Sequence, residues 1–112
     1  MQKSLVRCLI NNQESGRPCV QDFPGYYAGI ILGHPLYIYK NPISGHWYII
    51  DEYTGASITS YCTKKEAIQG LEYAARMLEL FIDKNLVNYE RYCDRFTALF
   101  NQHLREVNAQ AR

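Results

Sequence analysis

Residues 47–78, WYIIDEYTGASITSYCTKKEAIQGLEYAARML, decide the fold. The stretch opens on an aromatic and β-branched run, turns at Thr54-Gly55, returns through SITSY, and then changes its apolar period from two to 3.6. Glycine at the turn tolerates the positive φ that a tight hairpin demands. Thr63 starts the helix: its hydroxyl is placed to accept from the Glu66 amide while the Glu66 carboxylate reaches back, a reciprocal capping box. A sheet therefore feeds a capped helix.

Toward the N-terminus lie two more strand-like runs, 27–32 and 36–40 (LYIYK), closed by Gly33-His34-Pro35 and by Asn41-Pro42 and Ser44-Gly45. With 46–53 and 57–61 they predict an antiparallel meander of three to four strands within 26–62. Alternation sets Tyr37 and Tyr39 against Leu36 and Ile38, and Trp47 and Ile49 against Tyr48 and Ile50, so neither face of the sheet is polar. Gly25, Gly29 and Gly33 recur at four-residue spacing, but no helix start follows them to present amides to a phosphate, and they read as turns and a strand bulge. Before them, 5–10 (LVRCLI) reads as an edge strand and 13–24 (QESGRPCVQDFP) as a loop, making 1–24 an N-terminal segment and loop.

Toward the C-terminus, Ala67, Ile68, Leu71, Ala74, Ala75, Leu78, Phe81 and Ile82 form the core-facing stripe of a helix over 63–84. Tyr73, Met77 and Leu80 project onto a flank outside that stripe, which predicts their burial under a second helix or in a homodimer. The second helix spans 86–109. Its stripe runs through Leu86, Tyr89, Tyr92, Cys93, Phe96, Leu99, Phe100, His103, Leu104 and Val107, opposite Arg91, Arg95, Gln102 and Arg105. Asn85 suits a left-handed cap, which favours a helical hairpin over one long bent helix. The expected class is α+β: one domain over 1–112, a meander followed by two C-terminal helices.

Composition narrows the function. The 112 residues are 47% hydrophobic and 21% charged, the balance of a chain that buries a real core, and a net charge of +1 gives no broad attraction to nucleic acid or anionic lipid. No segment approaches the roughly 20 apolar residues that span a bilayer, and the opening MQKSLVRCLINNQ is too polar for a signal-peptide core. An intracellular, cytoplasmic protein is expected. Cys8, Cys19, Cys62 and Cys93 are widely spaced and read as reduced thiols. With His34, His46 and His103 they make no paired zinc spacing, so neither metal nor cofactor is expected.

Catalytic signatures are equally thin, and no catalytic residue is assigned. Asp51 and Glu52, adjacent on a strand, point to opposite faces and read as solvated charges rather than an acid/base pair. Cys62, directly before the capping threonine, is the one thiol near a helix N-terminus. Cys93 and His103 fall on an apolar stripe, as a small buried hydrophobe and a satisfied core histidine. A small cysteine-dependent enzyme therefore ranks third.

Ten tyrosines and one tryptophan carry more weight, because tyrosine joins a large apolar body to a polar tip and is enriched at contact surfaces. Tyr37, Tyr39 and Tyr48 on the sheet, and Arg91, Arg95, Gln102 and Arg105 on the second helix, are the candidate partner-binding residues. The leading reading is a non-enzymatic protein-binding module whose partner is another protein. A nucleic-acid-associated accessory protein is the alternative, with bases stacked on the sheet aromatics, though Lys40 is the one cation those strands supply for phosphates.

The segment HWYIIDEYTGASITSYCTKKEAI, residues 46–68 and the helix after it, resembles small proteins carried by bacteriophages and other mobile elements, which place a Trp strand and a T-G turn before a T-K-K-E-A-I helix start. The resemblance covers about a third of the chain and carries over no functional residue. It implies a class of compact, non-enzymatic inhibitors or adaptors acting on a larger complex such as a CRISPR effector, anti-CRISPR inhibitors among them.

Overall fold

Five apolar runs become five strands. In the computed structural model, which describes residues 1–110, β1 (Gln2–Asn11), β2 (Pro18–Ile31), β3 (His34–Lys40), β4 (Trp47–Asp51) and β5 (Ser57–Tyr61) form one antiparallel sheet in the order β1-β2-β3-β4-β5. Helices α1 (Lys64–Gln69), α2 (Leu71–Lys84) and α3 (Leu86–Gln110) follow. The α+β meander is as the pattern predicts, and the strand beyond the expected three to four is β1, the N-terminal run read as an edge strand. Residues 18–23 lengthen β2, pairing with β1 from Asn11↔Pro18 onward instead of looping. Of their polar residues, Asp22 lies opposite Arg7 in the register, and its Oδ2 meets His103 of α3.

The sheet is strongly curled. Gly25 of β2 sits where a Cβ would run into the Ile38 carbonyl oxygen, Val6 Cγ2 at 2.6 Å and Tyr39 Cβ at 2.9 Å, so only glycine lets β1 and β3 approach across the bend. A bulge between Tyr27 and Gly29 adds to the coiling. The curl carries β1 round to the β4–β5 turn, where Leu9 N donates to Gly55 O at 2.8 Å. Between β2 and β3 a two-residue turn holds both Leu32 (φ 51°) and Gly33 (φ 84°) left-handed, the geometry that matches strand twist.

Curling gives the sheet two cores. On one face Leu36, Ile38 and Ile49 pack against Leu71, Ala74, Ala75 and Leu78 of α2, with Tyr89 of α3 at the margin. On the other, Val6, Cys8, Tyr39 and Ile50 are buried against one another, flanked by Ile10, Phe23, Tyr37 and Tyr48, and the Phe23 and Tyr39 rings stack at 4.9 Å. That second core is built from strands alone.

The helices depart from the expected pair in three ways. The first is broken at buried Gly70, where the Tyr61 side chain occupies the space a Cβ would need. Thr63 Oγ1 accepts from Glu66 N at 3.1 Å, the half of the capping box that forms among the described residues. Asn85 turns the chain between α2 and α3 at φ −137°, not in the left-handed region. In place of a hairpin the helices make a corner, closed by the Phe81 ring against Tyr89 and Tyr92, each at 6.4 Å. From there α3 crosses β1 and β2, with Arg7 over the Phe100 ring at 4.9 Å and His103 Nε2 3.1 Å from Asp22 Oδ2.

Candidate functional site: a buried aspartate and the cavity above it

Three of the four hairpin turns are built from one local pattern: Asn12-Gln-Glu-Ser-Gly16, Asn41-Pro-Ile-Ser-Gly45 and Asp51-Glu-Tyr-Thr-Gly55. In each, the first side chain accepts from the amide two residues on: Asn12 from Glu14 (2.9 Å), Asn41 from Ile43 (2.8 Å), Asp51 from Tyr53 (3.3 Å). The hydroxyl at the fourth position accepts from the residue after the glycine: Ser15 from Arg17, Ser44 from His46, Thr54 from Ala56. The glycine is left-handed, with φ of 68°, 74° and 66°, and its amide donates to the carbonyl of the first residue.

The third copy differs in its surroundings. Asp51 is 1% exposed, not the solvated charge expected from its strand position. Its Oδ2 accepts from the Thr54 hydroxyl at 2.9 Å and from the Tyr89 hydroxyl of α3 at 2.8 Å, while Oδ1 takes the Tyr53 amide. Strand β4 consequently ends at Asp51, two residues short of the predicted limit. A buried carboxylate needs this many donors to offset lost hydration. Burial, and then the hydrogen bond to Asp51, hold the Tyr89 hydroxyl well above the usual tyrosine range. Gly55 completes the fit, since a Cβ there would sit 2.5 Å from the Phe96 ring.

Above Asp51 opens a cavity of about 380 Å³ between the start of β5, the second half of α2 and the first turns of α3. Its walls are largely apolar: Leu9, Ile58, Met77, Leu78, Phe81 and Tyr92. Asp51, Thr54 and Tyr89 contribute the polar atoms at one end, and Arg95 stands at the rim, its guanidinium 5.4 Å over the Tyr92 ring.

The expected site residues fall into three places, two of which meet at the cavity through Met77 and Arg95. Tyr37, Tyr39 and Tyr48 lie in and around the strand-only core: Tyr39 is 4% exposed and stacks with Tyr48 at 5.9 Å, so this face is not a free platform for a partner or for bases. Arg91, Arg95, Gln102 and Arg105 are exposed on α3, where Gln102 Nε2 donates to Glu106 at 3.2 Å and Arg95 alone reaches the cavity. Tyr73, Met77 and Leu80 are 58%, 42% and 51% exposed. The predicted cover by the second helix does not form, because α3 turns away at Asn85.

The cysteines are free, and burial pushes the Cys8 thiol up to about 12 and raises that of Cys93. Raised thiols are poor nucleophiles at neutral pH. Among the described residues no group of three or more His, Cys, Asp or Glu side chains is placed to hold a metal ion, and no helix is long and apolar enough to cross a membrane.

Sequence reasoning missed Asp51 and the cavity. The signal for the turn was present as an Asx-x-x-Ser/Thr-Gly pattern occurring three times, whereas the partner that buries Asp51 is 38 residues away. Comparison with protein-family models, with curated proteins and with solved structures finds no match to the chain.

Proposed function

We propose that this protein is a non-enzymatic protein-binding module that receives an amphipathic helix of a larger partner along the outer face of α2. The observation that carries the reading is the uncovered row of Tyr73, Met77 and Leu80, at i, i+4 and i+7 on a helix whose opposite face is fully committed to the sheet. Side chains at that spacing make one ridge, the form in which helices dock on helices. Three such side chains, half exposed, offer roughly 300 Å² of apolar surface, the scale at which monomer patches carry function. A stable interface of standard size needs about 800 Å² from each side, so the partner's surface must extend past α2, to the cationic start of α3 at Arg91 and Arg95. The narrower role of a mobile-element inhibitor or adaptor acting on a complex such as a CRISPR effector rests on the resemblance of residues 46–68.

Photocrosslinking tests this. With a benzophenone amino acid at Tyr73, exposed to light in the source cells, we expect an adduct heavier than twice the 13.0 kDa chain, lost when Met77→Asp is added. An adduct of two chains and nothing heavier, or one indifferent to Met77→Asp, overturns the reading.

A further inference from the structure

The cavity over Asp51 has a polarity that the helix-docking reading does not use. We infer that it binds a small amphiphilic carboxylate, apolar body inward and carboxylate at Arg95. The inner end excludes ions of either sign. Asp51 repels an anion, and it offers a cation nothing, because both its oxygens are already engaged by Tyr53, Thr54 and Tyr89 and the residue is 1% exposed. Between floor and rim the walls are hydrocarbon and aromatic apart from exposed Ser57, a setting in which an apolar body gains and a polar one loses its hydration.

The rim then selects the head group. Arg95 is the one cation among the described residues lining the cavity, and stacking over Tyr92 holds its guanidinium beside the opening. A single guanidinium matches a single carboxylate through two parallel hydrogen bonds, whereas a phosphate dianion would need a second positive group. At about 30 Å³ per water-sized group, the volume takes roughly a dozen such groups, room for a carboxylate with eight to ten carbons behind it. Met77 and Arg95 belong both to this cavity and to the proposed docking face, so the ligand is tested on the chain alone, where no docked helix competes for them.

The test is an amide NMR titration of the intact chain with octanoate, with octan-1-ol as the uncharged control, repeated on Arg95→Gln and Arg95→Lys. Arg95 is exposed, so both variants should keep the wild-type spectrum away from the cavity. Saturable octanoate shifts should centre on Ile58, Leu78 and Tyr92, weaken about tenfold in Arg95→Gln, and recover in part in Arg95→Lys. Octan-1-ol should bind more weakly and ignore both changes. The inference is overturned by the absence of saturable shifts at millimolar octanoate, by shifts centred elsewhere, or by octanoate affinity that Arg95→Gln leaves unchanged.

Discussion

The turn that joins β1 to β2 and the turn that joins β4 to β5 are the same device in different surroundings. Both begin with a short side-chain oxygen that accepts an amide two residues on, and both end with a left-handed glycine. At Asn12 the device stands in solvent and every bond it makes is local. At Asp51 it is buried, and the second carboxylate oxygen reaches out of the turn to hold α3 through Tyr89. A local code can thus fix a loop shape while tertiary contacts decide whether that loop is a surface connection or the floor of a cavity. Aspartate suits the second role because, ionised, it only accepts, and three donors converge on it.

Substituting each first residue with alanine should break the comparison most visibly. Asp51→Ala strands two buried hydroxyls and an amide, and is expected to cost about 3 kcal/mol, against about 1 kcal/mol or less for Asn12→Ala, whose freed amides find water. For a domain of this size the aspartate loss corresponds to roughly a 15 °C fall in melting temperature, measurable by calorimetry. Equal losses at the two sites would mean that Asp51 does not anchor α3. Tyr89→Phe isolates the bond between the end of β4 and α3 and should cost about 1–2 kcal/mol. Its loss should be small in an Asp51→Ala background, because the two groups act as one unit.

Legibility followed the range of the forces involved. The strand runs of 36–40 and 47–51, the glycine turn at 55 and the threonine cap at 63 are set within a few residues and were readable. The aromatic-rich alternation of β3 and β4 showed that both faces would be apolar, but not that a second core would form by curling. That depends on Gly25 meeting Val6 and Tyr39, contacts 14 to 19 residues apart in sequence. Residues 18–23 looked like a loop because Gln21 and Asp22 are polar, and the groups that accommodate Asp22 are Arg7 and His103, far away in the chain. The apolar outer face of α2 is legible in the sequence, but that α3 leaves it uncovered is not, since the direction in which α3 leaves Asn85 has no short-range signature.

Alkali should separate the two turns as well. Burial holds Tyr39 and Tyr37 at about 12 instead of the usual 10, pushes Cys8 from 9 to about 12, and raises Tyr89. A folded-state value above the unfolded one means the native state holds the proton more tightly, so this stability is complete below about pH 9 and drains as pH rises toward 12. Urea midpoints should therefore be flat around neutral pH and fall progressively above 9. Tyr89→Phe removes one contributor and should make the decline shallower, whereas Asn12→Ala, whose side-chain bonds among the described residues go only to Glu14 and Ser15, should leave its slope unchanged. A decline identical in wild type and Tyr89→Phe would show that the Asp51–Tyr89 contact does not survive in solution.

The smallest effect gives the finest discrimination. Exchanging amide for carboxylate at the head of each turn alters one atom and leaves the loop pattern intact, since both side chains keep the oxygen that takes the amide two residues on. At Asn12 the change is exposed, the bonds to Glu14 and Ser15 use the oxygen alone, and Asn12→Asp should move stability by less than about 0.5 kcal/mol in either direction. At Asp51 the reverse exchange puts an NH₂ group where Oδ2 now receives two hydroxyls. Thr54 and Tyr89 would have to rotate and accept, and Thr54 already accepts from Ala56, so Asp51→Asn should cost about 1–2 kcal/mol despite its near-identical shape. Chemical denaturation of the two variants side by side measures the difference. If Asp51→Asn proves as neutral as Asn12→Asp, the floor of the cavity is wet enough to supply substitutes, and Asp51 is then open to an entering ligand.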